Sequence, residues 1–198
     1  MVLFQFLICI FIYVGLWKWV KVPTNPVNAL SIIHASSSIV LYWVQLYDLQ
    51  MLQSIAYFIV DTFQTDFWIW RIHHTFAVIL QSLFVYKQSE MNLAGSYFLY
   101  WSEIGGILYH ISRMFPKNQH VRMTFLISYF LSRIMLLYST SFVFSTLYVF
   151  AMQSPLLIQI HVICSALIGN LILVLNAWFL KKQVDLYKKD FLLEKKNE

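Results

Sequence analysis

The sequence predicts an all-α integral membrane protein, about seven transmembrane helices forming a bundle around a central cavity. Three observations predict it. Of the 198 residues, 60% are hydrophobic and only 12% are Asp, Glu, Lys or Arg, about half the roughly 25% charge of a soluble domain. The apolar residues come in runs of roughly 15 to 25 without strict alternation, the length of bilayer-crossing helices and not the pattern of barrel strands. Aromatic residues reach 18%, which suits rings packed among helices and resting at both interfaces.

The first span, residues 1–20, is apolar except for Gln5 and Lys18. It lacks the basic leader and small-residue cleavage site of a signal peptide, so it is expected to be retained. Pro23, Asn25, Pro26 and Asn28 then turn the chain. A second span covers 30–46, and a polar break at Tyr47, Asp48 and Gln50 leads to a third over 52–70, interrupted by Asp61 and Asp66 and closed by Arg71. The fourth, 73–86, is short, which tilt or flanking residues accommodate. A fifth span, 93–111, ends in a polar stretch from Arg113 to Arg122, and the sixth, 123–150, is long enough to tilt and contains Arg133. Gln153, Ser154 and Pro155 mark the turn into the seventh, 156–180. This divides the chain into a first span with its cytosolic loop (1–27), a six-helix membrane domain (28–182) and a charged cytosolic tail (183–198).

Charge placement orients the bundle. With the N-terminus lumenal, Lys18, Lys21, Arg71, Arg113, Lys117, Arg122 and six lysines after position 180 all fall on the cytosolic side, against Lys87 alone opposite. That asymmetry follows the positive-inside rule and puts the C-terminus in the cytosol. The formal charge of +5 forms no basic stripe on a soluble fold, so nucleic acid is not an expected partner. Cys9 and Cys164 lie in apolar stretches and are expected to be reduced and buried.

Ionisable residues at membrane depth are costly and face the bundle interior. Asp61, Glu103 and Arg133 each lie near the middle of a span. The cation is expected to contact Glu103, Asp61 or both, either as an ion pair holding the bundle or as the polar floor of a substrate cavity. His34, His73, His74 and His110 fall in the cytosolic halves of their helices, where four imidazoles can line one cavity. The adjacent His73 and His74 point about 100° apart, and their chemistry suits a general base or nucleophile. Histidines at 34, 73, 74, 110, 120 and 161 supply none of the H-x-x-x-H or H-x-x-H-H boxes of membrane di-iron enzymes, so no metal is expected. Glu103 and His110 are two turns apart and share a helix face. Gly105 and Gly106 between them allow close approach of another helix.

The order Ala-Tyr-Phe-Ile-Val-Asp (56–61), Arg-Ile-His-His (71–74) and Trp-Ser-Glu (101–103), with Arg113 ten residues later, resembles the TLC domain. That family includes ceramide synthases and translocating-chain-associating membrane proteins. The resemblance covers roughly residues 28–182 and implies helices around a cavity that holds lipid or acyl chains. In ceramide synthases the paired histidines are catalytic, which would place that role on His73 and His74, with Asp61 as the acidic residue of the preceding helix. Those enzymes also carry an H-D-x-x-D segment. Here Ser102 stands at the histidine, Glu103 at the first aspartate and Gly106 at the second, so the chain resembles a non-synthase member.

The resemblance therefore implies binding or regulation of membrane lipids, acyl chains or sphingolipid-related, without a cofactor. An N-acyltransferase using His73 and His74, with Asp61 and Glu103 fixing the imidazoles and acyl-CoA as co-substrate, is the alternative. A helper for membrane-protein trafficking or translocation is a third. Lys195 and Lys196, followed by two residues, resemble the dilysine retrieval signal. It implies coat proteins as partners and residence in the endoplasmic reticulum.

Overall fold

The computed structural model describes residues 2–19, 26–65, 68–86, 90–115, 118–152 and 155–197. Among these there are seven helices and no strand: α1 (Val2–Trp19), α2 (Pro26–Trp43), α3 (Tyr47–Gln64), α4 (Trp68–Tyr86), α5 (Glu90–Met114), α6 (Gln119–Met152) and α7 (Leu156–Asn197). Their connections are short, which makes sequential, packed helices antiparallel neighbours.

The helix ends have local causes. Gln45 takes a left-handed φ of 62°. The Leu46 N–H then donates to the Leu41 carbonyl at 2.9 Å and the Gln45 N–H to that of Tyr42 at 3.1 Å. This is the double bond of a Schellman cap, with glutamine where glycine is preferred. Asn118 caps α6, its Oδ1 accepting the Val121 N–H at 3.1 Å. Pro155 immediately precedes α7.

Several expected boundaries shift. Tyr47, Asp48 and Gln50 do not break the chain but open α3, and Gln50 is fully buried. Its Nε2 donates to Ser38 Oγ at 3.1 Å and to the Ser96 carbonyl at 3.5 Å, so a residue polar enough to suggest a loop ties three helices together. Arg71 lies in the first turn of α4 rather than at the end of α3, and its Nε donates to the Thr65 carbonyl at 2.7 Å, joining the two helices across their turn. Asp66 lies outside the described residues. α7 continues without a break through Lys181 into the charged tail. Lys195 and Lys196 fall in its last turns, and their side chains lie outside the described residues. Both cysteines are free, Cys9 buried as expected and Cys164 exposed. The latter sits on the outward face of α7 because burial follows helix rotation, which an all-apolar run does not encode.

The helices pack in a ring. α2 packs on α5, α5 on α6, α6 on α7, α7 on α4, α4 on α3 and α3 on α2, while α1 lies outside against α3 and α2. Gly105 permits the α5–α6 contact. A Cβ there would stand 2.6 Å from Ser132 Oγ and 3.1 Å from Tyr129 Cδ2.

Polar side chains are buried among the apolar ones, and large apolar side chains face outward. Ser31, Ser38, Ser54, Ser96, Ser132 and Ser165 are buried, with Asp61, Glu103 and Asn176. Phe11 (83% exposed), Phe63 (82%) and Val174 (66%) lie outside. Two described segments, Gln119–Tyr138 and Val162–Lys189, are long and apolar enough to cross a bilayer, and Leu3–Leu16 and Ala29–Trp43 are shorter apolar stretches.

Candidate functional site

The six ring helices enclose a cavity of about 220 Å³ at one end of the bundle, and each contributes polar side chains to its wall. The placement follows from helix direction. Asp61 is in the last turn of α3, His73 and His74 lie near the start of α4, and His110 and Arg113 lie near the end of α5. His34 lies about two turns into α2, Glu103 about three turns before the end of α5, and Arg133 about four turns into α6. Arg113 therefore marks the mouth, the paired histidines the upper wall, and Glu103 and Arg133 the floor.

Two carboxylate–imidazole pairs face the cavity. His74 Nδ1 lies 3.3 Å from Asp61 Oδ2, and His34 Nε2 lies 3.3 Å from Glu103 Oε1. All four residues are buried. The His34 and Tyr57 rings stack at 4.0 Å and 9°, and the Tyr57 hydroxyl bridges Ser31 Oγ at 2.6 Å and Asp61 Oδ2 at 3.5 Å. Tyr13 reaches in from α1, its hydroxyl 3.3 Å from His34 Nδ1 and donating to Gln53 Oε1 at 3.1 Å. These contacts fix the His34 ring from both nitrogens and one face.

Arg133 does not make the expected ion pair. Its guanidinium lies over the Tyr129 ring, 4.2 Å from the centroid, and Nη1 donates to the Ser102 carbonyl at 3.2 Å. Among the described residues neither Asp61 nor Glu103 pairs with it, because each faces a histidine instead. Tyr129 is held in turn by its hydroxyl donating to Asn176 Oδ1 at 2.9 Å. The cation is thus positioned by an aromatic face and a carbonyl, with its charge uncompensated by a carboxylate.

His73 meets Trp70 and His74 edge-on, with centroids 5.7 Å and 5.8 Å away. His110 packs edge-on to Tyr109 at 5.0 Å. His120 is exposed, and the side chain of His161 lies outside the described residues. Ser102 and Gly106 both line the cavity. Among the described residues no group of three or more His, Cys, Asp or Glu side chains has the geometry to hold a metal ion.

Three buried polar atoms of cavity-lining residues have neither a hydrogen-bond nor an ion-pair partner among the described residues: Asp61 Oδ1, Arg133 Nε and Asn176 Nδ2. Leaving such a group unsatisfied costs about 1–3 kcal/mol. The set mixes an acceptor with donors, so it matches a small polar group able to both give and take hydrogen bonds.

Sequence reasoning did not single out Tyr13, Tyr57, Trp70, Tyr109, Asn176 or Phe179. Tyr57 had a signal, since it stands one turn before Asp61 on the same face, and Asn176 is one of few amides in a long apolar run, with Gln159 and Asn170. The aromatic residues had none, being a few among many. No family model, curated protein or solved structure matches the chain.

Proposed function

We propose that the chain is a multi-pass membrane protein of TLC-domain type whose seven helices all cross the bilayer and whose six-helix ring binds the polar part of a membrane lipid. The observation that carries this reading is the placement of the ionisable groups: one cavity gathers two carboxylates, four histidines and an arginine that neither carboxylate pairs with, while large apolar side chains face outward. Buried ionisable groups in an apolar exterior mark a ligand or ion pathway. The Lys and Arg distribution supports a lumenal N-terminus, a cytosolic C-terminus and a cavity open to the cytosolic leaflet. The dilysine at 195–196 supports residence in the endoplasmic reticulum through coat-protein recognition.

Gly106 gives the test. A Cβ there meets only Glu103 Oε2, at 3.4 Å, so Gly106→Trp extends into the cavity and not into a neighbouring helix. Wild-type protein purified in mild detergent retains lipid. Gly106→Trp loses most of it at an unchanged melting temperature. Equal retention by the two contradicts cavity binding.

The second reading, acyl-CoA-dependent N-acyl transfer, is favoured by the Asp61–His74 approach of 3.3 Å, the carboxylate-oriented imidazole of a general base. The imidazole would take a proton from an amine as its nitrogen bonds to the thioester carbonyl carbon. The C–S bond then breaks and the proton passes to the thiolate. Membranes supplied with labelled acyl-CoA and a sphingoid base decide it: amide product that disappears in His73→Ala/His74→Ala establishes transfer, and lipid handling alone predicts none.

A further inference from the structure

A second cavity, of about 260 Å³, adjoins the first between α4, α5 and α7. The two share Trp70, His73, Tyr109, Arg113, Asn176 and Phe179 as common wall, so they lie side by side. Their charges differ. Asp61 and Glu103 line the first, whereas the second joins the shared Arg113 to Lys182 and has no carboxylate among the described residues. Lys182 is placed there by α7, with Nζ 5.4 Å from the Trp178 ring centroid. Arg113 enters from the end of α5. Two cations from different helices at one opening form a complement to a compact anion, and guanidinium and ammonium groups both donate to phosphate oxygens.

The surroundings specify an amphiphile. Ile69, Leu175 and Leu186 line the same cavity. Trp178, Val174, Leu171 and Leu167 are exposed along α7, at helical spacings that put them in one stripe. From Lys182 to Leu167 this stripe runs about 22 Å, enough to cover one leaflet, half of a hydrocarbon core about 30 Å thick. A head seated between Arg113 and Lys182 would therefore leave its chains on an apolar track one leaflet deep.

We propose that this groove is a phospholipid seat in which Arg113 and Lys182 grip the headgroup phosphate while the acyl chains lie along α7. The proposal rests on the lipid-binding reading above and names the ligand class at the cavity mouth. The seat lies beside the cavity's histidines, with His73 lining both cavities.

Native mass spectrometry of the delipidated full chain in detergent tests this, with phosphatidic acid and diacylglycerol of identical acyl chains as probes. Phosphatidic acid binds more tightly than diacylglycerol to the wild type. Arg113→Gln/Lys182→Gln weakens phosphatidic acid about tenfold, the loss of one or two charged hydrogen bonds, and Lys188→Gln/Lys189→Gln, changed outside the cavity, leaves it unaltered. The single variants Arg113→Gln and Lys182→Gln each give part of the loss, which keeps the test valid if the double variant misfolds. Millimolar inorganic phosphate leaves the lipid bound. Equal affinity for the two lipids, unchanged binding by the variants, or an equal loss in the Lys188/Lys189 control overturns the seat. Displacement by inorganic phosphate also overturns it, assigning the cations to free phosphate. If neither lipid binds the wild type, the underlying lipid-binding reading fails instead.

Discussion

Glu103 Oε1 lies 3.3 Å from His34 Nε2, and Arg133, on the adjoining helix, covers the Tyr129 ring rather than either carboxylate. The bundle therefore spends its two buried acids on histidines and keeps its deepest cation for the cavity.

Arg133→Met is expected to leave stability unchanged or raised. A partly buried charge with no carboxylate partner among the described residues is replaced by an apolar side chain of similar length, so the relief of its desolvation offsets the loss of the Tyr129 contact and the hydrogen bond to Ser102. Lipid retention falls at the same time. A thermal melt in detergent with lipid quantified in the same sample reads both, and a large fall in melting temperature would mean that Arg133 holds the bundle together.

The adjacent glycines are expected to diverge. Gly105→Ala drives a methyl group against Ser132 Oγ and Tyr129, an overpacking cost of about 1–3 kcal/mol. Gly106→Ala meets only Glu103 Oε2 at ordinary contact distance and gains up to about 1 kcal/mol of helix propensity. Opposite shifts in melting temperature are the expected result, and equal shifts would contradict the α5–α6 contact.

Gln45→Gly is expected to stabilise the α2–α3 turn. Gln45 holds φ at 62°, where glycine has no Cβ penalty, and compatible changes of this kind are worth about 1 kcal/mol. A lower melting temperature would indicate that the left-handed turn is not formed.

Topology is testable in microsomes with Cys9 and Cys164 replaced by Ala. Lys188→Cys is expected to react with a membrane-impermeant maleimide in intact vesicles, and Gln45→Cys only after permeabilisation. The reverse order would invert the bundle.

The number and order of helices were legible because lipid-length apolar runs separated by Pro, Asn and charge leave few alternatives. The α2–α3 boundary was not, since Gln50 reads as a loop residue until Ser38 and Ser96 are seen to satisfy it. Asp61, Glu103, Arg133 and the four histidines were recognisable as inward-facing because an ionisable group on the outside of so apolar a helix is costly. Their pairing was not legible. Helical periodicity fixes which residues share a face but not how each helix is rotated against its neighbours, and that rotation gave Glu103 to His34 and left Arg133 to Tyr129. Gly105 and Gly106 looked equivalent in sequence, yet only the first meets another helix.

The most direct measurement of lipid binding in the ring is a cross-link map made with a phospholipid carrying a photoactivatable group near its head. Mass spectrometry of the digested protein is predicted to place the label on cavity-lining residues of α4, α5 and α7, around Trp70–His74, Tyr109–Arg113 and Asn176–Phe179, and Gly106→Trp is predicted to remove it from the interior positions. Label confined to outward-facing residues such as Phe11, Phe63 and Leu131, unaffected by Gly106→Trp, would contradict a lipid-binding cavity.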